Sequence, residues 1–585
     1  GDATLYKRDL QFIHPEVQIL ETERNDSEPP SPEPPGLIPV YPLTEGLSQR
    51  LLRRVITGTL QSLEEIPETL PENLRRRGKF PTLIESLASV HRPPPDSNIN
   101  DLNLYRSPGH QRLIFEEFFY VTLGMALKKR GIQEEKGISF QTEGVLVRNF
   151  LKNLPFDFTA AQKRVANEIG RDMAASRPMN RLVQGDVGSG KTVLSLLAAV
   201  IAIQNGTQAA LMAPTEILAE QHFLTARQFF EKLGIPIALL TSARLKTERE
   251  ETLKKVAKGE IPFVVGTHAV LEEDIRFSKL GLAIVDEQHR FGVLQRAALK
   301  KKGIVPDVLV MTATPIPRTL AMTVYGDLDV SILDELPPGR QPIETLVVAE
   351  KSRSKVYALI RQALERKEQV YVVYPLVEES EKMDLKDATG MAEILKEEFS
   401  NARIGLLHGR LSSEEKEETM RSFKEKRMDI LVSTTVIEVG VDVPNATLMV
   451  VEHAERFGLA QLHQLRGRIG RGTKKSHCLL LVGGPQSEES SQRLSVMAKT
   501  QDGFKIAEAD LEIRGPGEFL GTRQAGLPDF HIANIVRDAP FVALAKEEAA
   551  RLVAEDPFLK KSEHAILKKN LLERWQGKLE LAGVA

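Results

Sequence analysis

Gly185-Asp186-Val187-Gly188-Ser189-Gly190-Lys191-Thr192 stands between two apolar runs, Arg181 to Gln184 before it and Val193 to Ile203 after it. This is the pattern G-x-x-x-x-G-K-[ST] in the order strand, loop, helix, which is the context a phosphate-binding loop requires. Glycines let backbone N–H groups close around phosphate oxygens, and the start of the following helix adds its partial positive charge. In this reading Gly185 to Gly190 cradle the phosphates of a nucleotide, Lys191 neutralises their charge and Thr192 offers its hydroxyl to Mg²⁺. A strand that runs through such a loop into a buried helix is the opening unit of an α/β sheet, so the stretch sets the fold class as well as a candidate site.

Outward from the loop, short apolar runs alternate with helical patterns from about residue 144 to 490. A first set of strands is expected at Arg181 to Gln184, Ala209 to Ala213, Pro262 to Val265, Leu282 to Val285 and Val308 to Met311. A second is expected at Val370 to Tyr374, Ile404 to Leu407, Ile430 to Ser433, Leu448 to Val451 and Cys478 to Val482. Continuously apolar strands separated by helices imply parallel sheets covered on both faces. Leu336-Pro337-Pro338-Gly339 breaks either kind of element and divides the region into α/β domains at 143–340 and 341–490, with a hinge between them.

Before these domains, Asn25 to Gly36 carries five prolines among acidic residues and reads as a linker. Asp9 to Glu21 alternates weakly and reads as a single strand without a sheet. Leu47, Leu51, Val55 and Leu60 recur at helical spacing until Pro93-Pro94-Pro95, and a further helix is expected from Pro108 to Arg130, so 25–142 forms a linker and helical connector. The segment 491–585 is mainly helical in pattern, interrupted at Arg514-Gly515-Pro516-Gly517 and Gly521.

The composition narrows the class. The chain has 585 residues, 27% charged and 42% hydrophobic, and about 150 residues per domain gives roughly four structural units. With 78 basic against 80 acidic side chains, a nucleic-acid surface must be a local patch rather than a general property. A single cysteine, Cys478, excludes an internal disulfide, and no Cys or His cluster suggests structural zinc. Val193 to Ile203 is about half the length that a bilayer span needs. Neither a membrane segment nor a signal peptide is visible, and a cytoplasmic protein is expected. Residue 1 is Gly, so the sequence reads as part of a longer one.

Two further patterns carry chemistry. Asp286-Glu287-Gln288-His289 follows the strand Leu282 to Val285, placing carboxylates at the edge where open α/β sheets bind ligands. Asp286 suits a Mg²⁺-holding role, and Glu287 suits orienting or deprotonating an attacking water. Phe158 and Gln162 offer an aromatic edge and an amide to a nucleotide base; a helix cap at Thr159 accounts for the same stretch equally well.

Short motifs then assemble in one order: Ala213-Pro214-Thr215-Glu216, Gly266-Thr267-His268, Thr312-Ala313-Thr314, Thr434-Thr435 through Gly440-Val441-Asp442, and Gln464-Leu465-Arg466-Gly467-Arg468-Ile469-Gly470-Arg471. This series resembles the superfamily 2 helicases and translocases. Tyr41 to Leu47, Arg112 to Glu117, Asp286 to Gly292 and Thr312 to Arg318 are similar to signatures of the RecG family of bacterial branch-migration helicases. Asp510 to Gln524 resembles the translocation motif that this family shares with the transcription-repair coupling factor.

The resemblance implies two tandem RecA-like motor domains with a helical connector before them and a helical translocation segment after them. ATP and Mg²⁺ would lie between the motors, with Lys191, Thr192 and Asp286 on one wall and Arg468 and Arg471 as arginine fingers on the other. Gln464 and Asp442 would complete the nucleotide contacts. Thr215, Thr267, His268, Thr312, Thr314 and Thr435 would meet the DNA backbone, while Arg514, Arg523 and Gln524 couple nucleotide state to movement. Charge alone would not nominate that last segment, since Arg493 to Asp529 holds five basic and six acidic residues.

The family carries an N-terminal wedge domain of oligonucleotide-binding fold, of which residues 1–24 would be the remnant. The implied activity is ATP-dependent remodelling of forks and Holliday junctions by a monomer in the bacterial cytoplasm near the nucleoid, with single-strand-binding protein as a partner implied by family. A coupling motor that pushes RNA polymerase, or a DNA-structure binder with a vestigial nucleotide site, are the alternatives.

Overall fold

The computed structural model describes residues 2–6, 9–13, 37–44, 46–62, 66–133, 136–241, 246–267, 270, 275–286, 305–313, 328–335, 337, 341–375, 381–434, 443–472, 474–484, 486–514 and 530–575. Two compact units share the chain: Gly1–Glu68 with Arg75–Arg112, and Thr69–Leu74 with Leu113–Ala585. In the first, β1 (Asp2–Tyr6) and β2 (Asp9–Ile13) pair antiparallel, with Leu5 opposite Leu10. The strand expected near Asp9 is therefore not single. A strand pairs with whatever segment can reach its backbone groups, and Asp2–Tyr6, in which Ala3 and Leu5 alternate with Asp2 and Thr4, does so.

Helices α1 (Gln49–Ser62), α2 (Glu72–Arg77), α3 (Leu83–His91) and α4 (Ile99–Asn103) follow, and then the long α5 (Pro108–Gln133). α3 opens on a reciprocal cap in which Thr82 Oγ1 accepts from Glu85 N (3.3 Å) and Glu85 Oε2 accepts from Thr82 N (2.8 Å). α5 has proline at its first position, where the missing N–H costs nothing.

In the second unit the first motor region runs α6 (Val145–Lys152), α7 (Ala160–Ala174), β3 (Asn180–Gly185), α8 (Lys191–Gln204), β4 (Gln208–Met212), α9 (Glu216–Phe230), β5 (Ile237–Leu240), α10 (Lys246–Ala257), β6 (Phe263–Gly266), β7 (Leu280–Asp286), β8 (Asp307–Thr312) and β9 (Asp329–Leu333). Its seven strands are parallel in the order β5-β6-β4-β7-β8-β3-β9. Alternate residues feed opposite cores: Val183, Ala209 and Leu211 pack on one face, and Leu182, Ala210 and Met212 on the other.

A second sheet, β10 (Ile343–Ala349), β11 (Gln369–Val373), β12 (Ile404–Leu407), β13 (Ile430–Ser433), β14 (Ala446–Val451) and β15 (Ser476–Val482), is parallel in the order β10-β15-β14-β11-β13-β12. Its helices are α11 (Arg353–Glu365), α12 (Glu381–Glu398), α13 (Ser413–Lys424) and α14 (Leu459–Arg466). The two tandem parallel-sheet domains expected from the sequence are present, and so are all ten expected strands. Three strands of these two sheets were not expected, β5, β9 and β10, and each lies at the margin of its sheet. β9 and β10 carry interrupted apolar runs, β10 being buried at Ile343 but exposing Leu346 and Val347, whereas β5 is a continuous run of only four residues.

After β15 come α15 (Glu488–Lys499), α16 (Gly503–Arg514), α17 (Ala539–Glu555) and α18 (Ala565–Trp575), the helical segment expected. The end of this segment returns to α5. Trp575 donates through Nε1 to Tyr120 O (3.3 Å), and its indole lies so close to Gly124 that a Cβ there would come within 2.4 Å. Arg574 pairs with Glu116 (3.0 Å), while Glu117 accepts from the backbone N–H groups of His531, Ile532 and Ala533 at 2.9, 3.2 and 2.9 Å. The Arg112 to Glu117 signature thus contains the carboxylates that anchor both ends of the C-terminal helices. Among the described residues no helix is long and apolar enough to cross a membrane.

Candidate nucleotide site

The loop after β3 has the conformation its glycines anticipate. Gly188 and Gly190 take φ of +80° and +96°, a region that side chains resist, and a Cβ on Gly190 would come 2.3 Å from Gln162 Nε2. Gly185, Val187 and Ser189 are buried, and Gly190 ends the loop where α8 begins. α8 is buried along almost its whole length, from Leu194 to Ala202, so the loop rests on a rigid helix. Lys191 Nζ donates to the carbonyls of Gly185 (2.7 Å) and Asp186 (2.9 Å), folding back over the loop it follows. Thr192 lies in the first turn of α8, half-buried.

Thr159 and Gln162 form the helix cap that their stretch offers. Thr159 caps α7, accepting from Gln162 N (3.2 Å), and Gln162 Oε1 accepts from Thr159 N (3.0 Å). The same Gln162 donates through Nε2 to Ser189 O (2.9 Å), so the cap residue also braces the phosphate loop. Phe158 packs against the core, whereas Phe156, two residues earlier, is exposed.

Asp286 ends β7 at the carboxyl edge of the sheet, the edge at which the phosphate loop also leaves β3. Its Oδ2 lies 2.7 Å from Nε2 of His222, a buried histidine on α9. Thr215 is the N-cap of α9, accepting from Leu218 N (3.4 Å). Thr267 and Thr312 follow β6 and close β8 at the same edge and are buried, as is Thr434 after β13. Glu287, His268, Thr314, Thr435, Asp442, Arg523 and Gln524 lie outside the described residues, as do Leu336, Pro338 and Gly339 of the expected hinge; Arg514 closes α16.

The second sheet brings its own elements to the loop. His463, in α14, places Nε2 2.8 Å from Asp186 Oδ1, and a Cβ on Gly467 would lie 3.1 Å from Val187 Cγ2. Gln464 is half-buried, Arg468 is buried in the turn that follows, and Arg471 donates through Nε to Gly467 O (3.1 Å). Burial pushes the Asp186 carboxyl up, but the His463 hydrogen bond, the Val187 amide (2.7 Å) and nearby Lys191 outweigh it and hold the group below the usual carboxylate range. Asp186 is therefore a carboxylate that joins the two motor sheets.

His222 and His463 were not singled out in the sequence, although a signal existed. His222 shares the buried stripe of α9 with Ala219, Ala226 and Phe230, and His463 shares that of α14 with Leu459, Leu462 and Leu465. A polar side chain within an apolar helical stripe needs a buried partner. Which partner it finds is visible only in three dimensions.

Three family models match along the chain: DEAD/DEAH box helicase over 159–323, helicase conserved C-terminal domain over 353–473, and ATP-dependent DNA helicase RecG, domain 3, C-terminal, over 500–585. RecG of Pasteurella multocida is 47% identical over 98% of this chain and 81% of its own length. The chain belongs to the RecG family. RecG of Synechocystis is 49% identical over 97% of this chain, which spans 67% of that relative. RecG of Escherichia coli O157:H7 is 45% identical, with 99% of this chain and 82% of the relative covered. The structure of a RecG bound to a three-way DNA junction superposes with a TM-score of 0.69 at 44% identity, covering 86% of this chain and 66% of that one. The family is one of ATP-dependent DNA helicases, and the two matched motor domains are the sheets that carry the phosphate loop and the arginine turn.

Proposed function

We propose that this chain hydrolyses ATP between its two motor sheets and uses the cycle to translocate on duplex DNA, remodelling forks and Holliday junctions. The observation that carries the reading is the meeting of Asp186 with His463 and of Val187 with Gly467, which brings the arginine turn of the second sheet to the phosphate loop of the first. Lys191 leaves its loop carbonyls to neutralise the β- and γ-phosphates, Arg468 and Arg471 hold γ-phosphate oxygens, and Gln464 adds an amide. Phe158, Gln162 and Asp442 are the proposed remaining nucleotide contacts.

The donor set suits Mg²⁺, because the Thr192 hydroxyl and the Asp286 carboxylate are hard oxygen ligands at one sheet edge, and His222 fixes the orientation of Asp286. Bound there, the ion would supply charge neutralisation between phosphate oxygens. Glu287 is the proposed base or orienter of the attacking water. Thr215, Thr267, His268, Thr312, Thr314 and Thr435 are proposed contacts to the DNA backbone, suited to positioning rather than base reading. Arg514, Arg523 and Gln524 are proposed to transmit the cycle to the duplex. The protein is proposed to work as a monomer in the bacterial cytoplasm at the nucleoid, and the family adds single-strand-binding protein as a partner.

The test is Mg²⁺-dependent ATP hydrolysis with no DNA, linear duplex, a model fork and a four-way junction at matched salt, since phosphate contacts are salt-dependent. Stimulation by DNA that Lys191→Ala lowers about a hundredfold or more supports the reading. Stimulation that survives Lys191→Ala refutes the site assignment, and equal stimulation by linear and branched DNA refutes branch preference in this chain.

A further inference from the structure

α17 stops at Asp556-Pro557, and the loop that leads on to α18 is wound around one carboxylate. Asp556 is buried; its Oδ1 accepts from Lys560 N (3.0 Å), its Oδ2 accepts from Lys561 N (2.9 Å), and the same Oδ2 lies 2.8 Å from Nδ1 of the buried His564. Inside this frame Leu559 takes φ of +50° and is 4% exposed. The left-handed region is costly for a bulky side chain and persists only where the surroundings impose it. Its effect falls on the neighbours: Leu559 is turned inward, while Phe558 before it and Lys560 after it are exposed, Phe558 to 53%.

Single exposed apolar side chains are ordinary on a protein surface. Phe558 differs because a buried carboxylate with three partners fixes the loop that carries it, so the ring is presented in one place. Two cations converge there. Lys560 Nζ lies over the ring, 5.2 Å from its centroid, and Lys568 Nζ, from the first turn of α18, donates to Phe558 O (3.5 Å). The adjacent lysines are paired, Lys561 with Glu555 (2.6 Å) and Lys569 with Glu573 (4.0 Å). Among the described residues neither Lys560 nor Lys568 meets a carboxylate. Leu572, one turn beyond Lys568 on α18, is exposed and extends the apolar surface.

An exposed aromatic ring beside two ammonium groups without counter-charges fits a ligand that joins a planar ring to an anion. An acidic peptide would satisfy the lysines and leave the ring bare, and an intact duplex offers phosphates but no unstacked base. We propose that Phe558, Lys560 and Lys568 form a binding site for single-stranded DNA, in which an unpaired base stacks on the Phe558 ring and the two ammonium groups hold the adjoining phosphates. The site belongs to the C-terminal helices and shares no residue with the nucleotide site or with the proposed duplex contacts. It therefore goes beyond the translocase reading, needs no ATP, and gives the chain a hold on an unpaired arm.

Phe558→Trp places a reporter in the site. The full chain carrying it, without nucleotide, is titrated with a thymidine oligonucleotide of about ten nucleotides, and the native Trp575, being buried, adds a constant background. Saturable quenching is expected, with affinity about fivefold lower when Lys560→Ala and Lys568→Ala are combined with it. Blunt duplex and poly-glutamate at equal charge should quench little. In the parent background Phe558→Ala should weaken binding to a fork with a single-stranded arm about fivefold or more, while melting temperature, binding to blunt duplex and DNA-free ATP turnover stay as they were.

Absence of quenching, quenching indifferent to both lysines, or equal quenching by blunt duplex or poly-glutamate overturns the site. Should Phe558→Trp fail to fold, the Phe558→Ala comparison decides, and equal affinity of parent and variant for the fork overturns it. Failure of DNA-stimulated turnover in the parent is a different result, which removes the translocase reading and leaves the single-strand site standing.

Discussion

Asp307 opens β8 at the end of the sheet opposite the phosphate loop and is 1% exposed. Its Oδ1 accepts from Met179 N (2.8 Å), and among the described residues Oδ2 meets no donor. Burial pushes this carboxyl from its ordinary 3.8 up to about 8; the Met179 amide opposes the shift and the charge of Asp172 adds to it. A raised carboxyl means that the fold takes up a proton at neutral pH. Stability from this site is complete below about pH 4 and is lost at about 1.4 kcal/mol per pH unit up to pH 8, which amounts to about 4 kcal/mol at pH 7.

Asp307→Asn keeps the acceptor for Met179 and removes the proton uptake, while its amide N–H₂ is no better satisfied than the carboxylic O–H it replaces. At about 2 to 4 °C per kcal/mol for a domain of this size, the variant should melt roughly 8 °C or more above the parent at pH 7 to 8. The gain should shrink to about 1 kcal/mol near pH 4.5. Melting curves of parent and variant from pH 4.5 to 8.5 give the comparison, and DNA-stimulated ATP hydrolysis should be unchanged because the site lies at the far end of the strands. A difference between parent and variant that does not vary with pH would show that Asp307 is ionised in the fold and the reasoning wrong.

The loop and the C-terminal anchor yield two more expectations. Gly190→Ala combines a positive φ with a contact of 2.3 Å to Gln162 Nε2, so nucleotide affinity measured with a fluorescent ATP analogue should fall about tenfold or more; undiminished affinity would mean that the loop does not need this conformation. Glu117→Ala leaves three backbone N–H groups without their carboxylate, a loss of roughly 2 to 4 kcal/mol, and hydrogen exchange at His531 to Ala533 should speed up while that of α8 stays as it was. Equal rates at all three amides in parent and variant would remove the anchor role.

The sequence by itself determined the class of fold, because a continuously apolar strand can be satisfied only inside a covered parallel sheet, and ten such runs separated by helical patterns leave little choice. It also determined the conformation of the loop after β3, since Gly188 and Gly190 supply the positive φ it needs and Lys191 bonds back to the Gly185 and Asp186 carbonyls within one local turn. β9 and β10, at sheet margins, were less legible because their apolar patterns are broken, and β5 is an apolar run of only four residues. What only the tertiary structure decided are pairings across long stretches of chain. Asp186 with His463, Asp286 with His222, and Glu117 with the backbone of residues 531–533 are each set by packing between elements that carry no mark of one another. A buried histidine in an apolar stripe announces that it has a partner, but hydrogen bonding is short-ranged, and the identity of the partner depends on where the folded chain places it.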